Sequence, residues 1–244
     1  MTRFNADDYG VCPAQCEAIR ACRREGALTG VSVMPNSPYL AQAMAALAGD
    51  AALEVAVHLN VTEGLCLSKP EEVPRLAGAD GRFRQTFFRL FIQGCLPGRK
   101  ALKAQLKKEL RAQLRRVWPL LDGRALRLDG HQHIQMAPIV LAALAEALAE
   151  EGLRPAYLRW SCEPLGPYLR KMSLWRDYRP VNIVKNLVLN LCGRLGRRRL
   201  RAMGLAPGMV MALCSPAIWN TGWSRRFCRT LKKPPPAGGG SWSW

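Results

Sequence analysis

Residues 53–60 have the sequence LEVAVHLN, a short run in which apolar and β-branched side chains dominate. A run of this length is typical of a strand that is buried on both faces. The segment LTGVSVM (28–34) is similar, and between the two lies a helix signal in which NSP (36–38) supplies an N-cap and a first-turn proline. Strands that alternate with helices predict a parallel sheet, either doubly wound or closed into a barrel.

The same alternation continues along the first two-thirds of the chain. Predicted strands cover 2–6, 28–34, 53–60, 125–133 and 156–160, and predicted helices cover 13–25, 36–47, 99–117 and 138–151. A long connection, 61–98, has the length of loops that carry sites or lids. The chain of 244 residues has room for one (β/α) barrel domain. We therefore predict an α/β fold with parallel strands.

The apolar content and the cysteine content limit the classes of protein to which the chain can belong. The longest apolar stretch, 181–192, is interrupted by Lys185 and by asparagines and falls short of the ~20 residues of a membrane span. A signal peptide is not visible, so we expect a cytoplasmic location. The nine cysteines form no CxxC pair, which predicts reduced thiols rather than a zinc knuckle. Three of them, at 12, 16 and 22, suit either the inner side of a helix or a metal cluster.

The chain is strongly basic, with a formal net charge of +18. Leucines spaced by four residues make 99–117 an amphipathic helix whose basic face is either solvated or phosphate-binding. From Tyr178 to Trp244 no acidic residue occurs. Such charge is typical of proteins that bind nucleic acid or an anionic membrane surface, and this is the rival to any enzymatic function.

Metal-binding side chains gather at predicted strand ends. The three histidines of the chain, His58, His131 and His133, lie at or just past such ends, and Asp7 and Asp8 end the first strand. Ligands of parallel α/β folds bind at the carboxyl ends of the strands. Carboxylate and imidazole groups are ligands for zinc and late first-row metals. The sequence therefore predicts a divalent metal site at this edge.

The motif DGHQH leaves the ligand set open. In an extended chain Asp129, His131 and His133 would share one face. Either both histidines bind the metal, or one binds it while the other orients a ligand or contacts substrate.

Taken together, the motifs resemble the YdjC family of carbohydrate deacetylases over about residues 3 to 205. The segments that carry the resemblance are NADDYG (5–10), REGALTG (24–30), GALTGVSVMPNSP (26–38), HLNVTEG (58–64) and DGHQH (129–133). The fold this implies is an irregular or incomplete (β/α) barrel.

The resemblance also implies a reaction, the removal of an N-acetyl group from an acetylated amino sugar or oligosaccharide, with Mg²⁺ or Zn²⁺. By matching position, Asp7 would be the base that activates a metal-bound water. Asp8, His58 and His131 would bind the metal, and His133 would lie beside them. Further candidates for contacts with substrate or with these ligands are Asn60, Thr62, Glu63, Asp129, Arg159 and Glu163.

Three departures from the family pattern stand out. Only Met1 to Phe4 precede NADD, where the family has a longer apolar strand. Gln135 takes the place of a third histidine in the HxHxH stretch. No histidine follows His133, and Ser215 stands where a late histidine would be the catalytic acid. We therefore expect reduced activity.

The chain is predicted to consist of a deacetylase barrel, 1–205, and a basic tail rich in Trp, Pro and Gly, 206–244, which is non-homologous or disordered. The expected partners are an acetylated amino sugar, an anionic membrane surface touched by the basic helix and the tail, and a second copy in a homodimer. Nucleic acid is not an expected partner of the enzyme.

Overall fold

The structure of the chain is a computed structural model that describes residues 4–26, 28–162 and 180–205. Its strands are β1 (Asn5–Tyr9), β2 (Gly30–Val33), β3 (Glu54–Leu59), β4 (Arg127–Gly130) and β5 (Tyr157–Leu158). Its α-helices are α1 (Pro13–Arg24), α2 (Leu40–Ala45), α3 (Phe87–Gln93), α4 (Arg99–Val117), α5 (Pro138–Glu150) and α6 (Pro180–Ala202). Short 3-10 turns cover Pro70–Glu72, Trp118–Leu121 and His131–Met136.

The sheet has five parallel strands in the order β1-β2-β3-β4-β5, which confirms the predicted α/β fold. Within the described residues the sheet is open, with β1 and β5 at its edges. Parallel strands present all their carboxyl ends at one edge, so Asp7, His58, Asp129 and Arg159 meet there. The register places His58 directly beside Asp129.

The first strand differs from its prediction. It runs over Asn5–Tyr9 rather than 2–6, and its pairing with β2 shifts register between Ala6 and Tyr9. Asp8 has φ 62°, a left-handed conformation that costs an L-residue about 1–2 kcal/mol. Such a bulge re-aims side chains at the rim of a sheet. It allows the adjacent side chains of Asp7 and Asp8 to reach one site.

The predicted strand 125–133 is wrong beyond Gly130. The chain turns there into His131–Met136, and Gln132 and His133 have φ values of 52° and 60°. Because the backbone is not extended, His131 and His133 do not share a strand face. They lie in different surroundings, as the site shows.

The basic helix forms over the predicted residues, but its cations are not simply solvated. Its leucines are buried, and α4 packs along α5. Four cations of α4 make ion pairs with acids of α5 and of its C-cap: Lys103 with Glu146 (2.6 Å), Lys107 with Glu150 (2.5 Å), and Arg111 and Arg115 with Glu151 (2.6 and 2.7 Å). Much of this face is therefore neutralised by the neighbouring helix and is not free for phosphate. Cys16 and Cys22 lie on α1 and Cys12 is its N-cap, and all three are half-buried free thiols.

Helix α6 was not predicted from the sequence. Residues 181–192 were considered only as a membrane span, and that possibility was excluded. In the part of the chain that the structure describes, no helix is long and apolar enough to cross a membrane. Gly193 and Gly196 bring α6 close to Trp160. A Cβ at Gly196 would lie 2.6 Å from Cη2 of Trp160 and 2.8 Å from Cδ2 of Leu141.

We therefore expect Gly196→Ala to destabilise the protein. Alanine favours a helix over glycine by about 1 kcal/mol, but overpacking a core costs about 1–3 kcal/mol, so the net effect is a loss. Urea unfolding measures it. Gly49→Ala is the matched control, because a Cβ at Gly49 meets nothing within 4 Å. Equal stability of the two variants would contradict the close packing of α6.

Candidate active site

A buried cluster of one carboxylate and two imidazoles lies at the carboxyl edge of the sheet. Oδ1 of Asp8 lies 2.8 Å from Nδ1 of His131 and 3.3 Å from Nε2 of His58. The two rings meet edge to face with centroids 5.5 Å apart. The three residues come from β1, β3 and the turn after β4, and each offers a ligand atom within 4.8 Å of the others. We call Asp8, His58 and His131 the triad.

The ring of His58 is oriented from behind by Asp129. Nδ1 of His58 lies 2.5 Å from Oδ1 of Asp129, and the other oxygen of that carboxylate accepts from Ser32 Oγ at 2.5 Å. This leaves Nε2 of His58 turned towards Asp8. A carboxylate on the far nitrogen is the usual partner of a metal-binding histidine, because it fixes the ring and increases the basicity of the ligand atom.

Asp7 lies beside the triad and is held by Arg159. The guanidinium spans both carboxylate oxygens, with Nη1 to Oδ2 at 2.7 Å and Nη2 to Oδ1 at 2.9 Å, and Nη2 also lies 2.8 Å from Oδ2 of Asp129. Asn5 donates to Asp7 Oδ1 at 2.8 Å. A carboxylate has about four lone-pair positions, so Asp7 can still accept a proton.

Electrostatics keep these acids ionised. Burial opposes the charge of Asp7, but the hydrogen bonds and charge of Arg159 hold its pKa below the usual value. Burial likewise opposes the charge of Asp8, and the two histidines lower its pKa overall. Burial disfavours the imidazolium of His58, yet Asp129 and Asp8 raise the pKa of His58 to about 10. The carboxylates around His58 therefore favour a positive charge at this place, either a protonated imidazole or a bound cation.

The residues fit a divalent metal at the triad. Nε2 of His131 is buried and has no hydrogen-bond partner among the described residues, although Oε2 of Glu63 lies 3.3 Å away. A carboxylate with two imidazoles is also a donor set for zinc or late first-row metals. A second group, formed by Asp7, His58 and Asp129, is close enough to hold an ion. The guanidinium of Arg159 already occupies both of its carboxylates, so the triad is the better site.

The loop residues after β3 have two different tasks. Asn60 is fully buried, and its amide oxygen accepts from the backbone N–H of Thr62 and Glu63 while its NH₂ group donates to Asn36 and to the Glu63 carbonyl. Thr62 is buried and donates to Asn60. Glu63, by contrast, has an exposed side chain that reaches His131 and accepts from Gln132 at 2.6 Å. Of the three, only Glu63 carries a charge, and its carboxylate lies between solvent and the triad.

His133 has Ser161 as its hydrogen-bond partner. Its Nδ1 is 3.0 Å from the hydroxyl of Ser161, and burial, helped by the charges of Lys185 and Arg159, lowers the pKa of His133 to about 4. Gln135 is buried and donates to the carbonyl of Arg159 at 3.1 Å. Glu163 and Ser215 lie outside the described residues.

Several residues that shape the site were not identified from the sequence. Gln113 bonds both the N–H and the carbonyl of Asn60, and Glu109 accepts from the N–H groups of Leu67 and Ser68. Both side chains are fully buried on α4. The signal was present, because Glu109 and Gln113 interrupt the leucine face of the helix. The role of Arg159 in holding Asp7 was not predicted either.

Comparison with known proteins identifies the family of the chain. The sequence model of the YdjC-like protein family matches residues 3–231, so this chain belongs to the YdjC-like family. A carbohydrate deacetylase of Danio rerio is 30% identical over 65% of this chain and 49% of its own length. A chitooligosaccharide deacetylase of Escherichia fergusonii is 27% identical over 61% of this chain and 56% of its own length.

The chain thus spans about half the length of the curated relatives it matches. A solved structure of an Enterococcus faecalis V583 protein, with proposed cellobiose-phosphate cleavage activity, superposes with a TM-score of 0.49 at 22% identity. That match covers 64% of this chain and 57% of the other.

Proposed function

We propose that the protein is a metal-dependent hydrolase that removes N-acetyl groups from an acetylated amino sugar or oligosaccharide. One observation carries the proposal: the buried triad lies directly beside an ionised carboxylate, Asp7, that Arg159 holds in place. The named activities of the family relatives, carbohydrate and chitooligosaccharide deacetylation, supply the substrate class.

In this proposal Asp8, His58 and His131 hold a divalent ion, Mg²⁺ or Zn²⁺. When bound, the ion polarises the amide carbonyl and lowers the pKa of water. Asp129 keeps Nε2 of His58 pointed into the site, and the bulge at Asp8 lets that carboxylate reach the same site as Asp7.

Asp7 is the general base. It accepts a proton from the water that attacks the acetyl carbonyl, as that water forms its bond to carbon. Cleavage of the C–N bond then releases acetate and an amine, and the amine takes up a proton. Asp7 carries the proton after the first step, so it can return it to the amine.

The family pattern has a late histidine that would act as a separate general acid, and this chain lacks it. His133 is neutral near pH 7 because its pKa is lowered to about 4, so it does not supply an imidazolium there. We therefore propose that the chain works with Asp7 alone as proton carrier and is slower than a relative that has the late histidine.

The test of the function is acetate release from short N-acetylglucosamine oligomers with added Mg²⁺ or Zn²⁺. The proposal requires metal-dependent acetate with one free amine formed for each acetate. Acetate release that is unaffected by chelation would refute the metal dependence, and no acetate from any acetylated amino sugar would refute the function.

Arg159 gives a further prediction. Arg159→Gln should lower kcat by about 100-fold, because a base displaced by about 1 Å loses rate on that scale. Arg159→Lys should restore only part of it, since a lysine cannot span both oxygens. Steady-state acetate release gives kcat and KM separately.

The control for Arg159 is Arg127→Gln, which removes an arginine from the other end of the sheet, where it pairs with Glu54 at 3.1 Å. A rise in KM with unchanged kcat in Arg159→Gln would place Arg159 on the substrate instead of on Asp7.

The neutralised face of α4 weakens the rival function, binding of nucleic acid without catalysis, because its cations already pair with α5. The cytoplasmic location, the homodimer and the division into 1–205 and a tail 206–244 stay predictions, and 206–244 lie outside the described residues.

A further inference from the structure

Helix α6 presents an apolar stripe to solvent. Val184, Leu187, Leu191 and Leu195 are 53%, 51%, 48% and 60% exposed. Their spacing of three, four and four residues puts them on one side of the helix. The opposite side is buried, with Leu189, Cys192 and Leu200 facing the core. These four exposed side chains define what we call the α6 stripe.

The helix that carries the α6 stripe is cationic. Residues 180–202 include six Lys or Arg and no Asp or Glu. Arg194, Arg198 and Arg201 are exposed. Arg198 follows Leu195 in line with the stripe, and Arg194 and Arg201 border the stripe on one side. In the described part of the chain, none of these three arginines makes an ion pair with a carboxylate. This contrasts with α4, whose cations are matched by the acids of α5.

A second exposed apolar row lies on a neighbouring element. Phe88, Ile92 and Leu96, on α3 and just after it, are 45%, 55% and 50% exposed. Both α3 and α6 pack on α5 and on the turn after β4. The two rows therefore lie on helices that share two packing partners, α5 and the turn after β4.

From these features we infer that α6 is a membrane-surface helix, which inserts its apolar stripe at the interface of an anionic lipid layer while its arginines contact the headgroups. A helix with one apolar line and a basic border, too polar to span a bilayer, has the pattern of a helix that lies in the interface. Arginines near an anionic leaflet add electrostatic attraction.

Charge distinguishes this occupant from a second copy of the chain. Two copies that met through α6 would bring two acid-free, arginine-bearing surfaces together, and their mutual repulsion would oppose the contact. Nucleic acid would match the charge but would leave the leucines exposed. An anionic lipid surface matches both features. The sequence predicted membrane contact through the helix 99–117 and the tail, and this inference places a membrane contact on α6.

The test is co-sedimentation of the full chain with vesicles of phosphatidylcholine alone and of phosphatidylcholine with phosphatidylglycerol. We expect binding only when phosphatidylglycerol is present, and less binding as salt rises. Arg198→Gln with Arg201→Gln should weaken binding about fivefold for each arginine. Leu187→Gln with Leu191→Gln should weaken it about tenfold.

Matched controls remove the same groups elsewhere. Arg20→Gln with Arg24→Gln takes two cations from α1, and Leu65→Gln with Leu120→Gln takes two exposed leucines from loops and turns. Both should bind vesicles like the unmodified chain. All of the substituted side chains are exposed or pair only at the surface, and circular dichroism verifies that each variant is folded.

Three results would overturn the inference. The first is an absence of binding, or equal binding to both kinds of vesicle. The second is an equal effect of the α6 variants and their controls. The third is a dimer in solution that the leucine variant converts to a monomer without any vesicle binding, which would make the α6 stripe an interface between copies. Because none of these readouts is acetate release, they stand apart from the outcome for the proposed function.

Discussion

Asp7→Asn is expected to lower kcat for acetate release by about 10²–10⁴-fold, the usual contribution of a positioned general base. An amide of the same shape cannot accept the proton of the attacking water. The asparagine also lacks the negative charge of the Asp7 carboxylate, whose two oxygens accept from Arg159 at 2.7 and 2.9 Å. Initial rates of acetate formation from an N-acetylglucosamine oligomer measure the effect. Bound metal should be unchanged, because Asp7 is outside the triad.

The control is Asp80→Asn, which removes a carboxylate from an exposed loop outside the candidate site. Unchanged turnover in Asp7→Asn would reject Asp7 as the base. Loss of metal together with activity would place Asp7 among the ligands, in the second group with His58 and Asp129.

His58→Ala should abolish tight metal binding. Its effect on metal affinity should be larger than that of substituting a residue that only orients a ligand, such as Asp129. The variant removes Nε2, which faces Asp8 at 3.3 Å. Asp129→Asn, which only loosens the orientation of His58, should weaken affinity by about 10–100-fold. Titration calorimetry with Zn²⁺ on chelator-treated protein gives both numbers.

His133→Ala is the informative control for these ligand variants. Because His133 contacts Ser161 and not Asp8, we expect it to leave the affinity for Zn²⁺ within a small factor of the unmodified chain. A loss as large as that of His131→Ala would mean that both histidines bind the metal, the alternative left open by the motif DGHQH.

The sequence predicted the parts of the fold that depend on hydrophobic periodicity. Helix α4 was predicted with its observed limits, and β3 and α5 to within two residues, because their apolar spacing directly reflects which side is buried. The gathering of Asp7, Asp8, His58 and His131 at one edge followed from the parallel sheet.

What escaped prediction depends on backbone angles and on contacts between distant residues. Periodicity carries no information about φ, so the left-handed conformations of Asp8, Gln132 and His133 were not foreseen. The ion pair between Asp7 and Arg159 joins residues 152 positions apart, and neither segment contains a local sequence pattern that predicts it. Helix α6 was missed because its apolar residues occupy two sides, one towards the core and one towards solvent.

The strain of the left-handed residues lies where side chains of the site are aimed. Asp8 needs its bulge to point a carboxylate at two histidines, and His133 needs its turn to reach Ser161. Each conformation costs about 1–2 kcal/mol, and the surrounding hydrogen bonds stabilise it. Sequence rules that describe ordinary strands fail at the places where the chain is adapted to its site.

Crystals of the protein soaked in Zn²⁺ and measured at the zinc absorption edge provide the most direct test of the metal site. We predict one anomalous peak bonded to the Asp8 carboxylate and to both imidazoles of His58 and His131, at about 2 Å from each ligand atom. A peak between Asp7 and Asp129 with Arg159 displaced, or no peak at this edge of the sheet, would contradict the assignment.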